Sequence, residues 1–352
     1  MSLKSRFLPR VLAGRYRLMR AIGGGGMGKV FEAEIVRTGM PVAVKMLHPL
    51  LAQDEQARLR LERECALVSQ VDHDALVPIL DIDEDFDGSP FMVMELLRGE
   101  DLRSRLDAQK VVSVRDAIWI GYQVADALQA VHQSKVIHRD LKPENIFLQR
   151  QRHVPLRVRI LDFGIAKARE RLSGETLTLT RDGQRLGTPA YMSPEQARGD
   201  MNLDPRSDLY SLAVVMYEML TGQSPYPGGD EAMPNVMLVI IQEREPIPLR
   251  QLRPDASRTL EELLARALVK NREQRVQEMD AFKTALSAIA AEPPPGAPVT
   301  DLEWSDGTRR SAPSAPDLGP ALLDSAPRYG AATPTRAPKK RKTTHSPKSP
   351  PR

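Results

Sequence analysis

The stretch His138-Arg139-Asp140-Leu141-Lys142-Pro143-Glu144-Asn145, with Asp162-Phe163-Gly164 beginning seventeen residues after Asn145, decides how this chain reads. Two acids, a lysine and an asparagine at this spacing suit one chemistry, phosphoryl transfer from a metal-bound nucleotide to a hydroxyl. One acid accepts or orients the hydroxyl proton. The other acid and the asparagine offer hard oxygen donors to Mg²⁺, and the lysine faces the migrating phosphoryl group. An eight-residue string of this composition is too specific to arise as filler.

Upstream, Ile22-Gly23-Gly24-Gly25-Gly26-Met27-Gly28-Lys29-Val30 joins two segments that read as strands. Gly23, Gly25 and Gly28 would let the backbone lie against phosphates and donate N–H groups. Taken alone, such a run is as easily a flexible hairpin turn. A dinucleotide-binding fold would place a helix directly after the glycines, whereas Lys29–Val36 reads as a strand. Lys45, in Val42-Ala43-Val44-Lys45, has apolar neighbours, so its charge needs a partner. In isolation, a solvated surface position is the simpler account of Lys45.

In order and spacing these segments resemble the protein kinases, over about residues 14–290. The resemblance implies a role for each matching residue. Asp140 is the catalytic base or orienting acid, and Lys142 neutralises the γ-phosphate. Asn145 and Asp162 are the Mg²⁺ ligands, with Mn²⁺ able to substitute. Lys45 contacts the α- and β-phosphates of ATP and pairs with Glu64. The Gly-rich loop, Ile22 to Val30, covers the phosphates. Val30 and Ala43 roof the adenine and Phe147 floors it. Met94 is the gatekeeper, Glu95 to Leu97 the hinge, and Asp101 the acid at the ribose. Phe163 and His138 are packing residues of a core stack continued by Val68 and Ile79.

Lys142-Pro143-Glu144 favours serine/threonine over tyrosine specificity. Thr188 lines the acceptor site. Glu195 pairs with Arg275, and Asp208 holds the catalytic-loop backbone. Ser193 stands where the family more often has alanine. Arg139 and Lys167 form a cationic pocket, which phosphate on Thr176, Thr178 or Thr180 would neutralise; Thr180 fits best. Tyr16-Arg17-Leu18, Gly25-Gly26-Met27-Gly28 and Thr188–Gln196 are similar to the eukaryotic-like serine/threonine kinases of bacteria. Many of those carry a membrane helix after the kinase domain, whereas here no apolar run reaches the ~18 residues that a spanning helix needs.

The rest of the 352 residues fits this frame. Apolar content of 41% supports a core, and the single cysteine, Cys65, excludes an internal disulfide and suits a reducing, cytoplasmic compartment. Strands precede helices, which implies an α+β, two-lobed architecture. The expected divisions are an extension at 1–13, a β-rich N-lobe at 14–97, an α-rich C-lobe at 98–290 and a tail at 291–352. The tail holds 13 of the 29 prolines and reads as disordered. It also carries ten of the 50 Lys/Arg against six of the 46 Asp/Glu, so the net charge of +4 belongs to it alone.

The basic run Pro338–Lys342 could dock acidic partners, nucleic acid or anionic lipid, or merely solubilise the end. The function implied is a serine/threonine protein kinase acting on protein substrates and on its own activation segment, through a transient dimer. The alternatives are a catalytically silent scaffold of the same fold, a small-molecule kinase, and a nucleic-acid binder working through its tail.

Overall fold

Apolar residues alternate along Tyr16–Ile35 and Pro41–Met46, the pattern of strands with one face on a core. The computed structural model describes residues 10–25, 28–47, 59, 63, 65–150, 156–162, 189–229 and 232–290. Six strands form an antiparallel sheet: β1 (Val11–Leu12), β2 (Tyr16–Gly25), β3 (Gly28–Ile35), β4 (Pro41–Met46), β5 (Ile79–Glu84) and β6 (Pro90–Glu95), in the order β1-β2-β3-β4-β6-β5. The sheet therefore begins before the Gly14 boundary drawn from sequence. Val11 and Leu12 pair with Arg17 and Tyr16, and Leu12 is fully buried. Two residues are too short to show periodicity, so this strand was invisible in the sequence. Arg10 pins it, donating to Asp85 and, at 2.6 Å, to Asp87.

Val42 and Val44 pack with Leu18, Phe31, Phe91 and Val93. Ala43 and Lys45, on the opposite face of β4, stand beside Met94 and Met92 in register. Strand alternation thus divides β4 between a core face and a site face. Residues 65–69 are helical, within the span 54–71 that the sequence predicts as a helix, and Cys65 and Val68 are buried.

A short sheet follows, made of β7 (Gly99–Asp101), β8 (Ile146–Gln149) and β9 (Arg157–Ile160). The sequence showed the β8–β9 hairpin but not β7. At Gly99 φ is +149°, and a Cβ would lie 2.1 Å from the Leu148 carbonyl oxygen. Only glycine lets the chain approach β8 that closely.

The helical part is built around α1 (Leu102–Gln109), α2 (Val114–Gln133), α3 (Pro194–Ala197), α4 (Arg206–Thr221), α5 (Pro234–Glu243), α6 (Leu249–Leu252), α7 (Arg258–Ala267) and α8 (Met279–Ile289). Helix α2 spans the residues its 3.6-residue pattern predicts. Ser113 caps its start by accepting the Asp116 N–H, and Ile120, Val124, Ala127, Leu128 and Val131 are fully buried. Helix α4 is apolar nearly all round and is buried from Ser207 to Tyr217, as befits a central helix. It stops at Gly222, which takes φ +74° and returns its N–H to Glu218. No helix among the described residues is long and apolar enough to cross a membrane.

Candidate active site

The segment linking α2 to β8 carries the chemistry, and most of its backbone is held by other elements. Asp208, near the start of α4 and 1% exposed, accepts the N–H of His138 and of Arg139, each at 2.8 Å, and meets His132 Nε2 at 2.8 Å. Burial alone would raise the Asp208 carboxyl, but the hydrogen bonds from His132 and from the His138 N–H help hold it below its ordinary value. His138 is fully buried and bonds the Leu161 carbonyl through Nε2 at 3.1 Å, which makes it the packing residue expected. Gln196 donates to the Arg139 carbonyl at 2.7 Å. With this support Arg139 sits at φ +63° and Asp162 at φ +47°. Left-handed backbone is costly for such residues and persists only where the surroundings impose it.

Three of the predicted catalytic side chains converge. Lys142 Nζ donates to Asp140 Oδ2 at 2.8 Å, and Asn145 Nδ2 donates to the Asp140 carbonyl at 2.7 Å and to Oδ2 at 3.3 Å. Asp140 and Asn145 are both buried. Both bonds use the Asn145 amide nitrogen and not its side-chain oxygen. The Leu161 N–H bonds the Asn145 carbonyl at 2.8 Å and so sets Asp162 next to the same loop. Asp162 Oδ1 in turn receives Lys45 Nζ at 2.7 Å. Lys45, on the site face of β4 with its side chain 9% exposed, thereby joins the six-stranded sheet to the catalytic segment.

The residues expected at the nucleotide fall on the two sheets. Val30 faces Lys45 and Ala43 faces Met94 across the large sheet, and Glu95 closes β6 opposite Val42. Phe147 lies in β8 between Asp101 and Arg159. Asp101 has a second task besides the ribose contact implied, since its carboxylate caps α1 by accepting the Ser104 N–H at 2.8 Å. In the Gly-rich hairpin, Gly23, Gly24 and Gly25 pair with Val30, Lys29 and Gly28, and Ile22 is exposed. Gly26, Met27, Glu64, Phe163, Lys167, Thr176, Thr178, Thr180 and Thr188 lie outside the described residues, as does the tail.

Glu195 and Arg275 form the expected pair, with bonds of 2.8 and 3.0 Å between two fully buried side chains and a third from Ser207 Oγ at 2.8 Å. Burial pushes the Glu195 carboxyl up, while Arg275 more than offsets it and leaves the group below its usual range. Ser193, the departure noted in the sequence, is the N-cap of α3. Its Oγ accepts the Gln196 N–H at 3.3 Å, and Gln196 Oε1 accepts the Ser193 N–H at 3.0 Å. This reciprocal box orients Gln196, whose amide then reaches Arg139, and an alanine could not make it.

Sequence reasoning missed a second group beside the catalytic segment. Tyr191 Oη donates to Glu218 at 2.6 Å, and Arg103 Nη1 donates to the same carboxylate at 2.7 Å. Arg103, on α1, and Glu218, on α4, lie 115 residues apart, and no local pattern announces such a contact. A recess lined by Asp140, Lys142, Tyr191, Met192, Gln196 and Ser211 lies alongside.

A bilobal chain in which Lys45, Asp162 and the segment 138–145 meet in this way has the fold of a protein kinase. The protein kinase domain profile matches residues 16–286, and the chain belongs to that family. Its relatives include serine/threonine-protein kinases of bacteria. Serine/threonine-protein kinase pkn3 of Myxococcus xanthus is 38% identical over 330 residues, covering 93% of this chain and 57% of that protein. PknB of Mycobacterium leprae is 36% identical over 84% of this chain and 47% of its own length. The chain thus spans roughly half the length of these relatives. Among solved structures, the PknI kinase domain of Mycobacterium tuberculosis, as a double mutant, superposes with a TM-score of 0.63 at 27% identity, over 82% of this chain and all of that one.

Proposed function

We propose that this chain is an ATP-dependent serine/threonine protein kinase. The observation that carries the reading is the chain of contacts from Lys45 through Asp162 to the segment bearing Asp140, Lys142 and Asn145. Asp140 orients the acceptor hydroxyl and takes up its proton. Lys142, bonded to Asp140 before substrate arrives, presents its ammonium where γ-phosphoryl charge develops. Lys45 and the Gly-rich hairpin hold the triphosphate. The Asn145 amide oxygen and the Asp162 carboxylate are hard donors that would hold Mg²⁺, which would supply positive charge against the phosphates; Mn²⁺ would fit the same donors. The acceptors are protein Ser or Thr hydroxyls, with Thr188 lining the acceptor site as the family resemblance implies.

Phosphate on the activation segment, at Thr180 by preference or at Thr178 or Thr176, would meet Arg139 and Lys167 in the active form. A second copy would deliver it in trans. The basic tail would serve as a docking arm for acidic partners.

The test is transfer from γ-labelled ATP to a generic basic protein, with phosphoamino-acid analysis. Transfer to Ser/Thr that Asp140→Asn abolishes, with nucleotide binding retained, supports the reading. Nucleotide binding without any transfer by the natural chain would return the scaffold alternative.

A further inference from the structure

Arg159, on β9, is a buried arginine that neither the catalytic assignments nor the family pattern used in the sequence analysis explains. Its side chain is only 8% exposed, and its guanidinium donates to the carboxylate of Glu95, the first hinge residue. A guanidinium cannot shed its proton when buried, so it persists there only with an anion to meet it. Arg159 also faces Phe147, the adenine floor, in the β8–β9 register. One residue therefore touches both edges of the adenine pocket, the floor strand through its backbone and the hinge through its side chain.

The residues on either side make this placement consequential. Ile160 donates its N–H to the Ala75 carbonyl at 2.7 Å, just ahead of β5. Leu161 bonds Asn145 and His138, and Asp162 meets Lys45. Positions 159 to 162 thus contact, in turn, the hinge, the approach to β5, the catalytic segment and the phosphate-facing lysine. The hinge backbone is also held at its start, where Glu95 pairs with Val42 and its N–H reaches the Pro78 carbonyl at 3.3 Å, and just past its end, where the Arg98 carbonyl accepts the Arg150 N–H at 2.8 Å; the Arg159 contact adds a side-chain anchor between them.

We propose that Arg159 is a positioning residue of the nucleotide site, holding Glu95 so that the hinge backbone presents its hydrogen-bonding groups to the adenine edge at the distance set by Asp162 at the phosphate end. The inference rests on the kinase reading of the cleft.

The experiment is a double-mutant cycle on the full chain with Arg159→Met, Glu95→Gln and the pair, plus Arg159→Lys. It measures the Kd for Mg-ATP by calorimetry and KM and kcat for ATP by phosphate transfer. Each single change is expected to raise Kd and KM for ATP about five- to tenfold, the scale of one charge-assisted hydrogen bond. Kcat should change less than twofold, the pair should lose no more than the larger single, and Arg159→Lys should recover part of the loss. Unchanged nucleotide affinity in Glu95→Gln, or single effects that multiply in the pair, would overturn it. Should Arg159→Met fail to fold, Glu95→Gln decides alone, because it removes the charge of the same pair from the more exposed partner. Binding without transfer by the natural chain would sink the kinase reading and leave this test intact; absence of nucleotide binding would sink both.

Discussion

Asp208 and Arg139 lie 69 residues apart in sequence, yet the carboxylate of the first accepts the backbone N–H of the second at 2.8 Å. With the matching bond to His138, this fixes the residues entering the catalytic loop from the first turn of α4. Asp208→Asn keeps the volume but puts an NH₂ where one of two N–H donors now points, and it leaves His132 without its anion. We expect a loss of about 2–4 kcal/mol in urea unfolding, since buried donors would go unpaired. Kcat should fall further than KM rises, because the loop would lose its imposed geometry.

The Glu195–Arg275 pair yields a sharper test. Removing either partner strands a buried charge and should cost about 3–5 kcal/mol. Replacing both, as Glu195→Leu with Arg275→Met, should cost much less than the sum of the singles. Thermal unfolding of the four proteins measures the difference; strictly additive losses would show that the ion pair is not the interaction that matters.

Ser193→Ala removes the α3 cap. The expected cost is about 1 kcal/mol. The change should also lower kcat, because Gln196 would no longer be oriented toward the Arg139 carbonyl. Ser193→Asp, which restores an accepting oxygen, should recover the stability.

Stability should also depend on His138. Burial drives its pKa below the ordinary 6.5, although Asp208, Asp140 and the Leu161 carbonyl all oppose the change. The folded chain therefore keeps this ring neutral where the unfolded chain would protonate it. Stability is complete above about pH 6.5 and falls as pH drops from there toward the folded-state value, by at most about 1.4 kcal/mol per pH unit. Melting temperatures between pH 8 and 5.5 should show the slope, and a His138→Phe variant, though less stable, should lack it.

The sequence displayed what is local and periodic. Helix α2, the β8–β9 hairpin, the long strands of the large sheet and the catalytic segment each carry their pattern within about twenty residues. The Glu195–Arg275 and Asp208 contacts were accessible through the family resemblance. The two-residue β1, the glycine-led β7, and the Arg103–Glu218–Tyr191 and Arg159–Glu95 contacts were not legible. Each depends on which distant backbone passes close by, and arginine beside a carboxylate in space leaves no trace in spacing. Ser193 is an intermediate case. Its distance of three from Gln196 fits a capping box, but as a replacement for alanine it looked like mere drift.

The four consecutive contacts made by residues 159 to 162 behave like marks on a ruler. Substituting one side chain blurs one mark. Adding or deleting a single residue there would turn every following side chain to the opposite face, and Asp162 would no longer meet Lys45. This stretch should therefore tolerate a change of length even less than a change of side chain.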